Sequence, residues 1–166
     1  LADQLLALQP ALPDLLERLL SRDTGIASIR CHGDLDLTQL LIVKDDIFIV
    51  DFEGAPRSSI AERRRKVPAA RDIAGLVRSI DYSATSALER ALKVAHDEDG
   101  RLGAALGEWR DRAAAAFLAA YHEAMTDRRL WPSDPNAADN LLTFFLLEKA
   151  LNEIEHELSF RPEWLR

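Results

Sequence analysis

Two short apolar runs separated by a charged triplet constrain the fold of this chain more than any other feature. The runs are residues 40–43, Leu-Leu-Ile-Val, and residues 47–50, Ile-Phe-Ile-Val, with Lys-Asp-Asp between them. β-Branched and aromatic residues are typical of strands, and the triplet has the composition of a turn. The pattern predicts an antiparallel β-hairpin in which the end of the second strand returns beside the start of the first.

Polar motifs flank this hairpin on both sides. His32-Gly-Asp34 and Gln39 precede the first strand, and Asp51-Phe-Glu53-Gly follows the second, which we expect to be buried. Antiparallel pairing brings Asp51 close to Gln39. Because hard Mg²⁺ prefers oxygen ligands, we predict that Gln39 and Asp51 bind it. Glu53 is predicted to help hold a second metal ion, since adjacent carboxylates repel each other unless a cation lies between them.

These residue types are the ones that phosphoryl transfer from Mg²⁺-ATP to a hydroxyl requires. The reaction asks a protein mainly to align two oxygens and to neutralise charge. We predict that Asp34 accepts or orients the proton of the attacking hydroxyl, with His32 bracing the loop and Gly33 allowing a sharp turn. Each motif alone also occurs by chance, in ordinary loops and in turns after strands. Their order around a hairpin favours the joint interpretation.

Further blocks extend the pattern along the chain: Glu62-Arg-Arg-Arg, residues 71–82, Glu148-Lys-Ala-Leu and Arg161-Pro-Glu-Trp. From about residue 30 onward, the chain resembles the carboxyl-terminal lobe of bacterial maltokinases, including maltokinase-like domains fused to trehalose synthase. The resemblance implies the mainly α-helical lobe, with a small β-hairpin, of the aminoglycoside phosphotransferase-like, protein-kinase-like fold. It implies ATP-dependent phosphorylation of maltose to maltose 1-phosphate or of a related sugar. It also implies that Asp72 ties its helix to the catalytic loop by hydrogen bonds.

The resemblance places four residues at the sugar: Asp36, Lys149, Asn152 and His156. Maltokinases usually have His where this chain has Asp36, and Gly where it has Thr38. They keep the Lys of position 149 but have tyrosines in place of Asn152 and His156. Because aromatic faces bind the apolar side of a sugar ring, these departures lead to the hypothesis that the acceptor is a smaller or an amino-bearing sugar.

Residues 1–166 are predicted to form a single domain, within the usual length of one domain. Apolar residues at three- and four-residue spacing predict helices over four segments: 72–79, 85–96, 102–126 and 137–160. Residues 1–20 read as an apolar helical segment, and the predicted catalytic loop and metal hairpin occupy residues 30–54. A complete enzyme of this class needs an amino-terminal lobe with a phosphate-pairing Lys. None is visible upstream, so we interpret the chain as one lobe, excised or processed.

Composition excludes several classes of partner. A formal net charge of −7 argues against binding to nucleic acid, which calls for a basic surface. The apolar run at residues 141–147 is far shorter than the roughly 20 residues that span a bilayer, so no membrane contact is expected. Cys31 is the single cysteine, which excludes an internal disulfide and favours a reduced, cytoplasmic setting.

A second interpretation is a noncatalytic binding or assembly module of a trehalose synthase fusion. In that case the residues at the predicted sugar site differ from those of maltokinases because catalysis no longer requires them. The intact set of Asp34, Gln39 and Asp51 favours the enzyme. Metal-dependent binding of ATP separates the two interpretations, because a scaffold has no need of it.

Overall fold

A computed structural model of the protein describes residues 6–20, 25–56, 58–95, 100–125 and 129–160. Its helices and strands are, in chain order, α1 (Leu12–Leu20), β1 (Leu40–Val43), β2 (Asp46–Ile49), α2 (Ile60–Arg63), α3 (Ala70–Leu92), α4 (Arg101–Ala124) and α5 (Pro135–Phe160). Short 3₁₀ turns precede α1 at Gln9–Ala11 and β1 at Leu37–Gln39. The prediction of a mainly helical chain with one small hairpin is confirmed.

The hairpin has the predicted antiparallel register. Leu40 pairs with Ile49 and Val43 with Asp46, so β2 begins and ends one residue earlier than predicted. Beyond the ladder, the backbone N–H of Val50 donates to the Gln39 carbonyl at 3.0 Å. The strand ends therefore meet as the sequence indicated, and Asp51 follows directly on the residue opposite Gln39.

The expectation that the second strand is buried is wrong for the described part of the chain. All side chains of β2 are exposed, and Ile42 of β1 is 78% exposed. The two strands satisfy each other's backbone groups, but no other described element packs over the apolar faces of the sheet. An exposed apolar surface of this kind is unusual on a soluble domain.

Helix α3 is continuous where the sequence predicted two helices, over residues 72–79 and 85–96. Ser83 lies between the two predicted helices and Thr85 begins the second, and both residue types disfavour helix in general. Their hydroxyls donate to the carbonyls of Ser79 and Asp81, one turn earlier, so they do not compete with the helical ladder. Residues 93–95 are not helical, so α3 ends earlier than predicted, and residue 96 lies outside the described ranges.

Apolar side chains of α3 and α5, with Trp131 before α5, form the core. Its buried members are Ala70, Ile73, Ala74, Trp131, Ala138, Leu141 and Phe145. Helix α4 covers one side with the partly buried Phe117 and Tyr121. Two alanines of α3 are 0% exposed, which indicates close helix packing. The beginning of α5 is fixed by Asp134, whose carboxylate accepts the Ala137 N–H at 3.0 Å.

Helix α1 lies against α5 at the edge of this bundle. Of the predicted helical segment 1–20, residues 1–5 are outside the described ranges, and residues 6–8 are helical before the 3₁₀ turn. The predicted helices 102–126 and 137–160 correspond to α4 and α5, with residue 126 also outside. Among the described helices, none has both the length and the apolar character that crossing a membrane requires.

Candidate active site

The predicted catalytic loop, residues 30–39 and called the catalytic loop below, is held against the amino-terminal end of α3. Ile29 and Val67 exchange backbone hydrogen bonds at 2.9 Å, which sets the loop beside the segment that leads into the helix. The Asp72 carboxylate then accepts the backbone N–H of His32 at 2.6 Å and that of Gly33 at 2.9 Å. The predicted role of Asp72 is confirmed by these two bonds.

The loop continues along the same face of α3. A Cβ atom placed on Gly75 would lie 2.6 Å from the Leu35 carbonyl oxygen, so the loop rests directly on the helix there. One turn further, the Ser79 hydroxyl accepts the Leu37 N–H at 3.1 Å. Residues 72, 75 and 79 recur at helical spacing and share one face. Gly75 and Ser79 were not predicted from the sequence, although the spacing of small and polar residues in an apolar helix was the available signal.

His32 connects the catalytic loop to the end of the hairpin. Its side chain is buried, and Nε2 lies 2.7 Å from the Val50 carbonyl oxygen. Because a carbonyl only accepts, Nε2 carries a hydrogen, and Nδ1 faces the Asp34 N–H at 3.4 Å. The Phe52 ring lies 4.8 Å from the imidazole, centroid to centroid. These are contacts of a residue that fixes the loop and not of one placed to react.

The loop that follows β2 meets the catalytic loop through two glycines. A Cβ atom on Gly33 would lie 3.4 Å from the Gly54 Cα, and both glycines have positive φ, +86° and +79°. Asp51 itself has a φ of +66°, which is uncommon for a non-glycine residue and costs conformational energy. This backbone conformation sets the direction of the exposed Asp51 side chain where the hairpin ends.

The residues predicted to bind metal suit Mg²⁺ in their chemistry. Gln39 and Asp51 supply an amide and a carboxylate oxygen at the paired strand ends. The described residues contain no group of three or more His, Cys, Asp or Glu side chains that could hold a metal ion, so Asp34, Asp51 and Glu53 do not form a cage. Mg²⁺ in phosphotransfer sites usually takes one or two carboxylates and completes its shell with phosphate and water. The exposed Glu53 remains a predicted ligand.

Helix α5 reaches the catalytic loop through Lys149. Its Nζ lies 3.6 Å from Oδ1 of Asp34, and each side chain is 31% exposed. The neighbouring Glu148 pairs with Arg71 of α3 at 3.2 Å. Farther along, Glu153 accepts two hydrogen bonds from Arg78, at 3.2 and 2.8 Å. The base predicted from the sequence is thus paired with a residue that the sequence analysis had assigned to the sugar.

The other three predicted sugar residues are not gathered around Asp34 by the observed contacts. Asp36 caps the 3₁₀ turn, and its Oδ1 accepts both the N–H and the hydroxyl of Thr38. Asn152 is exposed, and the His156 ring stacks beside Phe160 at 5.4 Å. Two of the departures from the maltokinase pattern, Asp36 and Thr38, therefore bond to each other. Sugar binding by Asp36, Asn152 and His156 stays a prediction.

Cys31 is adjacent to the site but inert in its chemistry. Its thiol lies 3.6 Å from the carbonyl oxygens of Val67 and Pro68. Burial, with a smaller contribution from the Asp72 carboxylate, raises the pKa of Cys31 to about 12. The thiol therefore stays protonated at neutral pH, and the protonated form is a poor nucleophile.

The fold is similar to that of solved glucosamine kinases. No model of a known protein family matches the chain. Solved structures of glucosamine kinase are similar to it. One, in complex with glucosamine, ADP and inorganic phosphate, has a TM-score of 0.74 and 27% identity, covering 98% of this chain and 36% of that one. Another crystal form has a TM-score of 0.75 and 26% identity, with 98% and 37% covered.

Sequence relatives carry the same name. The chain is 28% identical over 163 residues to the glucosamine kinase of Streptacidiphilus jiangxiensis, covering 98% of this chain and 35% of the relative. It is 28% identical over 144 residues to the glucosamine kinase of Mycolicibacterium smegmatis, covering 85% and 33%. The chain thus spans about a third of the length of these relatives. The predicted sugar kinase fold is supported, whereas the maltokinase and trehalose synthase parts stay predictions.

Proposed function

We propose that this chain is the catalytic-loop lobe of an ATP-dependent, protein-kinase-like sugar kinase whose acceptor is glucosamine or a similar amino sugar. One observation carries the proposal. The loop with Asp34 is hydrogen-bonded to α3, and the paired strand ends with Gln39 and Asp51 are hydrogen-bonded to the same loop through His32. The likeness to glucosamine kinases over 98% of the chain supports it, since one of those structures holds glucosamine, ADP and inorganic phosphate.

Each residue of the site has a defined task in this reaction. A sugar hydroxyl oxygen bonds to the γ-phosphorus as the bond to the ADP oxygen breaks, and its proton passes to the Asp34 carboxylate. Gln39 and Asp51 would hold Mg²⁺, which supplies charge neutralisation at the phosphates when bound. Asp72 and His32 keep Asp34 and Asp51 in a fixed relation, because Asp72 binds the backbone just before Asp34 and His32 binds the carbonyl just before Asp51. Positioning of this kind is the main contribution of a protein to phosphoryl transfer.

An amino sugar suits the acceptor side better than maltose does. Maltose offers two rings that aromatic side chains cover, and the chain has Asn152 and His156 where maltokinases have tyrosines. The chain is acidic overall, with a formal net charge of −7, which favours a cationic acceptor over an anionic one. Maltose remains the acceptor to test against, because the motif resemblance implies it.

The test is Mg²⁺-dependent release of ADP by the full-length protein with glucosamine, maltose, glucose or trehalose as acceptor. We expect turnover with glucosamine and much less with maltose. Asp34→Asn keeps the shape of the side chain but removes the proton acceptor, so turnover should fall by roughly 10²–10⁴-fold. Asp45→Asn, in the exposed hairpin turn, is the matched control and should leave the rate unchanged.

Three outcomes separate the candidates. Saturation by maltose at low micromolar concentration with no glucosamine turnover identifies a maltokinase. Turnover of neither sugar by a folded protein that also fails to bind ATP with Mg²⁺ identifies the noncatalytic module. Equal rates for Asp34→Asn and the parent protein overturn the assignment of Asp34 as the base.

A further inference from the structure

Lys149 of α5 contacts the predicted base, and we propose that it is a positioning residue for Asp34 and not a ligand of the sugar. This inference rests on the proposed function, because it assigns a role within that reaction. It also changes the role that the motif resemblance implies for this lysine.

The backbone and the carboxylate of the loop are held from different helices. Asp72 of α3 accepts the backbone N–H groups of His32 and Gly33, just before Asp34. These bonds fix the path of the chain but leave rotation about the Asp34 side-chain bonds free. Lys149 Nζ, 3.6 Å from Oδ1, is the observed ion-pair partner that restrains the carboxylate itself.

The position of Lys149 is set by a rigid element. It follows Glu148, which pairs with Arg71, and Arg71 precedes Asp72. Arg71 of α3 therefore pairs with Glu148 of α5, while the next residue of each helix, Asp72 or Lys149, contacts the loop. The Arg78–Glu153 pair at 2.8 Å repeats the connection farther along. A site supported by packed helices keeps its geometry better than one supported by loops.

The charge of Lys149 argues against direct contact with an amino sugar. The acceptor amine is cationic at neutral pH, and two like charges in contact oppose binding. The lysine charge is instead matched by the carboxylate of Asp34. In this arrangement Lys149 orients the base before the acceptor arrives, and the acceptor approaches Asp34 from a side not occupied by the ammonium group.

A positioning role predicts a specific kinetic pattern. In the full-length protein, Lys149→Met should lower kcat by roughly 10–100-fold, because small misplacements of a reacting group have effects of that size. The KM for glucosamine should change less than about twofold, since no sugar contact is lost. Lys149→Arg, which keeps the cation, should recover most of the rate. Lys93→Met is the matched control, because Lys93 is exposed at the other end of α3, roughly 30 Å along the helix axis from Asp72.

The opposite pattern overturns the inference. A KM for glucosamine that rises tenfold or more with kcat unchanged makes Lys149 a sugar ligand. A loss of rate that Lys149→Arg does not recover shows that the packing of α5, and not the charge, is what matters.

A second measurement does not depend on activity, so it still decides the inference if the protein phosphorylates no sugar. NMR of ¹⁵N-labelled lysine side chains reports the environment of the Lys149 ammonium group, with its signal assigned by its loss in Lys149→Met. Asp34→Asn should shift this signal and weaken it, whereas Asp36→Asn, two residues away, should leave it in place. If the Lys149 signal in Asp34→Asn is the same as in the parent protein, the ion pair is absent in solution and the inference fails.

Discussion

Replacing Gly75 by alanine tests whether the catalytic loop lies directly on α3. The added Cβ atom meets the Leu35 carbonyl oxygen at 2.6 Å, whereas ordinary contacts begin at 3.4 Å, so loop and helix must separate by 0.8 Å (3.4 − 2.6). Overpacking of this kind costs up to about 3 kcal/mol, and the better helix propensity of alanine returns about 1 kcal/mol. We expect a net loss of about 2 kcal/mol.

The same substitution elsewhere provides the control. Gly107 lies inside α4, and apart from its own stretch of helix backbone no described atom is within 4 Å of the position of its Cβ atom. Gly107→Ala should therefore stabilise the protein by about 1 kcal/mol through helix propensity alone. The two variants differ only in what the new methyl group meets.

Thermal unfolding followed by circular dichroism measures both effects. For a chain of this size, about 1 kcal/mol shifts Tm by roughly 2–4 °C. Gly75→Ala should lower Tm by roughly 4–8 °C, and Gly107→Ala should raise it by roughly 2–4 °C. If both variants raise Tm by the same amount, the loop does not lie on the helix, and the description of the site is wrong.

Three further predictions follow from burial and hydrogen bonding. Asp72→Ala leaves two loop N–H groups without their charged acceptor and should cost about 3 kcal/mol in urea unfolding; a loss below about 0.5 kcal/mol contradicts the two bonds. The pKa of Cys31 is raised to about 12, so roughly a thousandth of the native thiol should be thiolate at pH 9, where the unfolded thiol is about half ionised. Iodoacetamide reacts with the thiolate and should therefore modify the native protein far more slowly than the urea-unfolded protein. Equal rates of modification would refute the burial of Cys31. Ile42→Ser should change stability by less than about 0.5 kcal/mol because the side chain is 78% exposed, whereas Ile73→Ala in the core should cost about 2–5 kcal/mol; similar losses in urea unfolding contradict the assignment of the core.

The local part of the site was predictable from the sequence because it is governed by short-range rules. The alternation of strand and turn residues gave the hairpin, and antiparallel pairing placed Gln39 and Asp51 at adjoining strand ends. The tie between Asp72 and the loop followed from motif resemblance. All of these features depend on the spacing of residues that lie within a few dozen positions of one another along the chain.

The parts that depend on tertiary packing were not predictable in the same way. Nothing local indicates that Lys149 meets Asp34, since helix packing alone brings them together. Two helices were predicted, over 72–79 and 85–96, but the Ser83 and Thr85 hydroxyls bond to carbonyls within one continuous helix. Apolar strand composition suggested burial, yet the described elements leave the hairpin uncovered, because composition reports the preference of a side chain and not the presence of a neighbour.

The contacts of the loop with residues 72, 75 and 79 make α3 intolerant of changes in length. One residue inserted between Asp72 and Ser79 turns the later part of the helix by about 100°, which carries Ser79 away from Leu37 while Asp72 stays in place. A residue added in the exposed hairpin turn at Lys44 meets no such restriction. Among homologous chains, insertions and deletions should therefore accumulate at the turn and be excluded from the first two turns of α3.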